Sequence, residues 1–175
     1  MYTGRAGQLA VMAELLHRGC NVADPEVDVG EDLLTYRNGE TQIVHVQVKT
    51  ANAEALKEPG RYAARVSVPL EQLKAEDRPP LHYIFPVRLA DRWADFLIIG
   101  RAELFLLSRS HGIGYRNERA GELQLYLSFG PESVLCSSRD MQPYRNAWES
   151  LPVLQSEEGS TGGPTSAASP EGPSG

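Results

Sequence analysis

Asp32, Gln47 and Lys49 are the residues of this chain whose types and spacing could do chemistry together. The stretch HVQVKT, His45 to Thr50, alternates polar and apolar residues with the period of a strand. Val44, Val46 and Val48 therefore share one face, and His45, Gln47 and Lys49 share the other. Asp32 opens an earlier apolar stretch, DLLTY, and Asn38-Gly39 lies almost midway between Asp32 and Gln47. Asn-Gly is the preferred dipeptide of a tight hairpin turn, so a hairpin about it would bring Asp32 to the end of the sheet that carries Gln47 and Lys49. A carboxylate and an amide oxygen are hard ligands suited to Mg²⁺, with Mn²⁺ as a substitute, and the carbonyl of Val48 could join them. Lys49 would orient an attacking water or stabilise charge developing on a phosphate. Against this stands the plainer reading of a half-solvated antiparallel strand with its polar row in water.

The elements that must position these residues are legible from periodicity. GRAGQLAVMAELLHRG, Gly4 to Gly19, reads as an amphipathic helix with Leu9, Met12, Leu15 and Leu16 buried and Gly19 as its stop. DLLTY and TQIVHVQVKT form the hairpin, and RYAARVSVPL and LHYIFPVRL are further strands with a short helical segment or loop around PLEQLK between them. WADFLIIG reads as a buried strand, RAELFLLSR as a helix after Gly100, and LQLYLSF and SVLC as short strands. MQPYRNAWESL reads as a C-terminal helix docked by Tyr144 and Trp148, four residues apart. The order predicts one mixed α/β domain over residues 1–154. From Gln155 the chain is rich in Gly, Ser and Pro and lacks aromatic residues, which predicts a disordered tail over 155–175.

Composition narrows the classes. The length of 175 residues suits a single domain, and no run approaches the roughly 18 apolar residues of a membrane span. The N-terminus lacks a signal peptide's basic and apolar regions, so a soluble cytoplasmic protein with no membrane partner is expected. Cys20 and Cys136 are far apart and in no metal-binding spacing, so both read as small buried hydrophobes. The net charge of −6 argues against coating nucleic acid by bulk electrostatics. Glu157, Glu158 and Glu171 lie in the tail, however, and 17 positive against 20 negative charges remain in the body. Those positive charges are 14 Arg and 3 Lys, and Arg suits bidentate phosphate contact.

The helix ending at Gly19, then PEVDVGEDLL, then VQVKT resembles the PD-(D/E)xK nuclease superfamily, in the variant that carries QxK in place of (D/E)xK. The resemblance covers about Gly4 to Thr50. It implies a restriction-endonuclease-like fold, a mixed central sheet flanked by helices, and metal-dependent hydrolysis of nucleic-acid phosphodiesters, DNA first among them. By residue it implies Asp32 and Gln47 at the metal with the Val48 carbonyl, and Lys49 beside the nucleophile. Many members work as dimers to cut both strands, so a homodimer is implied as well. The family's first helix often supplies a Glu to the metal about eleven residues before its terminal Gly, and the matching position here is Gln8. Glu14, on the same helix, lies about 120° around the axis from Gln8, beside His17 and Arg18. With Gln at 8 and 47, Asp32 alone brings formal negative charge. A catalytically inactive module of this fold, binding nucleic acid or a partner protein, is therefore the alternative, and an unrelated α/β interaction domain is a third.

Other residues carry weaker signals. Asp24, Glu26, Asp28, Glu31 and Asp32 fail the EF-hand pattern, which would need Gly at Val29 and Glu at Thr35. Asp24 and Glu26 read as solvated loop, Asp28 as a reserve ligand, and Glu31 as pointing away from Asp32. His45 shares the face of Gln47, and His111 lies in a glycine turn without the following helix of a phosphate loop. Arg61 and Arg65 occupy alternate strand positions and could extend a basic strip from Lys49 toward DNA. Tyr83, Trp93 and Phe96 read as core.

Overall fold

A computed structural model describes residues 2–25 and 31–155. Glu26, Asp28 and the tail beyond Gln155 lie outside the described residues. In chain order the elements are α1 (Tyr2–His17), β1 (Asn21–Ala23), β2 (Leu33–Tyr36), β3 (Val44–Val48), β4 (Ala51–Ala55), β5 (Tyr62–Pro69), α2 (Leu70–Lys74) and β6 (Leu81–Leu89). There follow β7 (Arg92–Gly100), α3 (Arg101–Ser110), β8 (Tyr115–Asn117), β9 (Glu122–Phe129), β10 (Val134–Cys136) and β11 (Arg139–Asp140). Three short 3₁₀ turns complete the chain: Gln142–Tyr144, Trp148–Ser150 and Pro152–Leu154. The strands form one mixed sheet flanked by helices, the α/β architecture expected from the sequence. Among the described residues no helix is long and apolar enough to cross a membrane.

The hairpin forms and turns at Asn38-Gly39, but its return strand begins at Val44 rather than at Thr41, so the connection is longer than the tight turn expected. Glu40 N–H donates to the Arg37 carbonyl across Asn38-Gly39, and Gly39 takes φ +84°, a conformation that glycine adopts without strain. The pairs Leu33–Val46, Leu34–His45 and Thr35–Val44 set the register, so Asp32 falls opposite Gln47. The polar row of β3 does not lie in water. Val44, Val46 and Val48 pack with Val11 and Leu15 of α1, while Gln47 is 4% exposed on the face where β6 places Tyr83.

β6 organises the site. Its first half, Leu81–Ile84, pairs in parallel with β3, and Val87–Leu89 pairs in parallel with β4. β3 and β4 thus run end to end along one edge of β6, separated by Lys49 and Thr50. On their other side β3 is bordered by β2 and β4 by β5. The sheet therefore forks at Lys49–Thr50, with Asp32 on one prong and the C-terminal end of β5 on the other.

Two further expectations are corrected. On α1 the buried residues are Gly7, Val11 and Leu15, with Met12 partly covered, whereas Leu9 and Leu16 are 52% and 55% exposed. The helix is rotated because Gly7, lacking a Cβ, lets it close onto the fork at Thr50, which the count of large apolar side chains does not register. The C-terminal helix is absent. Asn146 adopts φ +53° and Pro143 and Pro152 remove amide donors, so the segment breaks into 3₁₀ turns. Trp148 still docks, but beside α1 and against Phe96, while Tyr144 packs on the opposite core.

A Cβ at Gly7 would overlap Thr50 Oγ1 and stand 3.1 Å from both Thr50 Cβ and Pro86 Cγ. Overpacking of this kind costs about 1–3 kcal/mol, against about 1 kcal/mol gained from the helix propensity of alanine. Gly7→Ala is expected to lower the urea midpoint; an unchanged or higher midpoint would show that α1 does not press on the fork.

Candidate functional site

Asp32 enters β2 with its N–H donating to the Val46 carbonyl at 2.9 Å, which anchors its backbone on β3. Its carboxylate Oδ2 accepts two hydrogen bonds, one from Gln47 Nε2 and one from the backbone N–H of Val48 at 2.7 Å. The hairpin register makes the first contact possible, since directly opposed side chains on one face of an antiparallel pair lie close together. Asp32, Gln47 and the Val48 backbone, three groups selected from the sequence, are thus brought together.

The Gln47 amide is held at its other end as well. Its Oε1 accepts from Gln72 Nε2 of α2 at 2.8 Å, and Gln72 Oε1 accepts from the Tyr83 hydroxyl at 3.2 Å. α2 follows β5 directly, with Leu70 and Leu73 buried on either side of Gln72, so the second prong of the fork delivers Gln72 over Gln47. Burial, the largest effect, pushes the Tyr83 phenol well above its ordinary range; Arg101 lowers it and Asp77 raises it to smaller extents. Tyr83 therefore keeps its proton at neutral pH.

Lys49 follows at the fork, its N–H donating to the Ile84 carbonyl at 3.0 Å. It lines a groove of about 460 Å³ with Thr3, Val48, Thr50, Asn52 and Arg65, and its ammonium has no hydrogen bond or ion pair among the described residues. A second groove of about 630 Å³ shares Thr50, Asn52 and Arg65 and continues past Tyr126 and Ser128 of β9. Arg65 thus joins Lys49 along one surface. Arg61 is exposed in the turn before β5, where its N–H donates to the Glu58 carbonyl, and it lines neither groove.

The remaining candidates are placed elsewhere. Gln8 accepts from Arg5 at 3.0 Å, and Arg5 also pairs with Asp24, so Gln8 belongs to a surface cluster at the start of α1. Glu14 pairs with Arg18, whose guanidinium lies 4.5 Å above the Trp148 ring. His45 meets Glu31 at 2.5 Å, so Glu31 turns to the strand face that carries His45 and Gln47. His111 caps α3 in a plain glycine turn, and Cys20 and Cys136 are free and buried. Gln72 and Tyr83 were missed as site residues. Gln72 falls in the short helical segment or loop around PLEQLK, which carried no site signal, Tyr83 reads as core, and no spacing in the sequence joins either to Gln47.

The resemblance implies a divalent cation, and the donors at the fork bear on whether one fits. Asp32, Gln47 and the Val48 carbonyl are hard oxygen groups of the kind Mg²⁺ takes. No cluster of three or more His, Cys, Asp or Glu able to hold a metal exists among the described residues. The chemistry of the set fits; its orientation fits only once the Gln47 amide turns, because nitrogen, not oxygen, faces Asp32.

No family model matches the chain, and no curated protein matches it. Among solved structures it is similar to the structure of a bacterial homing endonuclease, I-Ssp6803I, at 18% sequence identity and a TM-score of 0.49, over 87% of this chain and 89% of that chain.

Removing the Asp32 carboxylate leaves Gln47 Nε2 and the Val48 N–H without their acceptor, at about 1–3 kcal/mol for each buried donor. Asp32→Ala is expected to lower the denaturation midpoint strongly and Asp32→Asn less, since the amide retains one acceptor oxygen. Equal stability of both variants and the wild type would mean that the β2–β3 junction does not depend on this carboxylate.

Proposed function

We propose that the chain is a cytoplasmic, metal-dependent endonuclease that hydrolyses DNA phosphodiester bonds, with Mg²⁺ as its cation and Mn²⁺ able to replace it. The observation that carries this reading is the meeting of Asp32 and Gln47 at the fork of the sheet, beside a groove lined by Lys49 and Arg65. Asp32, Gln47 and the Val48 carbonyl are the groups that would hold the cation, which supplies positive charge against the scissile phosphate. Lys49 contributes a fixed charge at the rim, suited to orienting a water or to stabilising negative charge on the phosphate as it develops. Arg65, and Arg61 beyond it, offer forked donors to the phosphates on either side. A homodimer would let two such sites cut opposite strands.

The alternative reading is a module of the same fold that binds nucleic acid or a partner protein without cleaving. It is favoured by the orientation of Gln47, whose amide nitrogen already satisfies Asp32, and by Gln8, which is engaged with Arg5.

Incubation with supercoiled plasmid and with single-stranded DNA, in Mg²⁺, Mn²⁺ or EDTA, separates the two. Nicking that requires the cation and falls by at least about 10²-fold in folded Lys49→Ala supports the nuclease. DNA binding without cleavage supports the alternative. In either case Arg65→Ala is expected to weaken binding uniformly across sequences and to reduce the slope of log K against log salt by about 1. An unchanged slope would remove Arg65 from the interface.

A further inference from the structure

The groups behind Asp32 form a chain of hydrogen bonds with a direction. Tyr83 O–H donates to Gln72 Oε1, Gln72 Nε2 donates to Gln47 Oε1, and Gln47 Nε2 donates to Asp32 Oδ2. A carboxylate can only accept, and each carboxamide has a donor end and an acceptor end. The way one amide faces therefore fixes the way the next must face.

We propose that Gln72 is the positioning residue of this site, holding the Gln47 amide by its oxygen so that its nitrogen stays on Asp32. Gln72 lines neither groove; it acts through Gln47, which is 4% exposed and so has little access to water as a substitute partner. A phenolic hydroxyl both donates and accepts, so the three bonds could also run the other way, but only with a cation between Gln47 Oε1 and Asp32, because both of those oxygens can only accept. In that arrangement Tyr83 accepts from Gln72 Nε2, Gln72 Oε1 accepts from Gln47 Nε2, and Gln47 Oε1 faces Asp32. Turning Gln47 alone would set two amide groups of like polarity against each other at 2.8 Å, so the two carboxamides turn together or not at all. That second arrangement is the one in which position 47 offers oxygen beside the carboxylate. The consequence for a cation rests on the nuclease reading, whereas the hydrogen-bond chain itself does not.

The test uses the full chain labelled with ¹⁵N, without added metal or DNA. The side-chain NH₂ resonances of Gln47 are identified by their loss in Gln47→Glu, and their exchange with solvent is measured in the wild type, Gln72→Leu and Tyr83→Phe. Backbone amide spectra establish that each variant is folded. In Gln72→Leu the Gln47 NH₂ protons are expected to shift and to exchange about tenfold faster, the effect of one lost hydrogen bond on a local opening. Tyr83→Phe, which removes only an oxygen, is expected to act in the same direction and carries the test should Gln72→Leu not fold. A folded variant whose Gln47 exchange and shifts match the wild type would overturn the proposal. Because no cleavage is read, a failure of the nuclease reading leaves this result interpretable.

Discussion

The carboxylate of Asp32 closes the junction where β2 begins and β3 ends, and the rest of the site is arranged around that contact. One oxygen gathers a side-chain amide and a backbone N–H from consecutive residues, Gln47 and Val48, which point to opposite faces of the strand. Such a carboxylate is more than a surface charge. It gives an acceptor to a buried amide that is 4% exposed, and a lone carboxamide at that depth would leave polar atoms unsatisfied at a cost of a few kcal/mol. The hairpin register brings Asp32 and Gln47 into this contact, and the contact in turn lets Gln47 be buried with Lys49 following just beyond Val48.

Topology explains why this contact lies beside a groove. β6 is long enough to pair with two strands in succession, and because β3 and β4 take different outer neighbours the sheet divides between them. α1 closes on the division from one side through Gly7 and Thr50, while α2 reaches Gln47 from the far prong. A fork of this kind does for a mixed sheet what a reversal of strand order does for an open parallel one: it leaves a crevice at strand ends that no neighbouring strand fills. Lys49 stands at the crevice because the chain must pass from β3 to β4 there, and Arg65 faces it because β5 borders β4 in antiparallel register.

Much of this was legible in the sequence. The alternation in HVQVKT and the Asn38-Gly39 turn were enough to bring Asp32 to the end of the sheet that carries Gln47, but not to fix the register, because a two-residue turn there would set Asp32 opposite His45 and the longer connection sets it opposite Gln47. Reach across the fold was not legible. The burial of α1 follows from a missing side chain at Gly7 rather than from a stripe of large ones. Gln72 and Tyr83 join the site through a parallel pairing of β3 with β6 and a five-residue helix, contacts that separate residues 25 and 36 positions from Gln47 in ways no local period encodes. The C-terminal segment departs from the helix that its i, i+4 aromatic pair suggests, because Asn146 and two prolines turn Tyr144 and Trp148 toward different cores.

The amide at position 47 has an electrostatic logic that a carboxylate there would lack. Two carboxylates at this distance and depth would repel, and one would retain a proton unless a cation lay between them. With Gln47 the pair satisfies itself, because one group donates and the other only accepts. The fold at the β2–β3 junction is then independent of metal. The same property sets a threshold: a divalent ion must displace the bond from Nε2 to Oδ2 and meets a single formal charge when it has done so. Under the nuclease reading the remaining negative charge comes from the phosphate of the substrate, so cation and nucleic acid would bind with positive coupling, each the condition for the other. Under that reading the site would stay quiet until DNA filled the groove beside Lys49, and the uncharged amide at position 47 would be the reason.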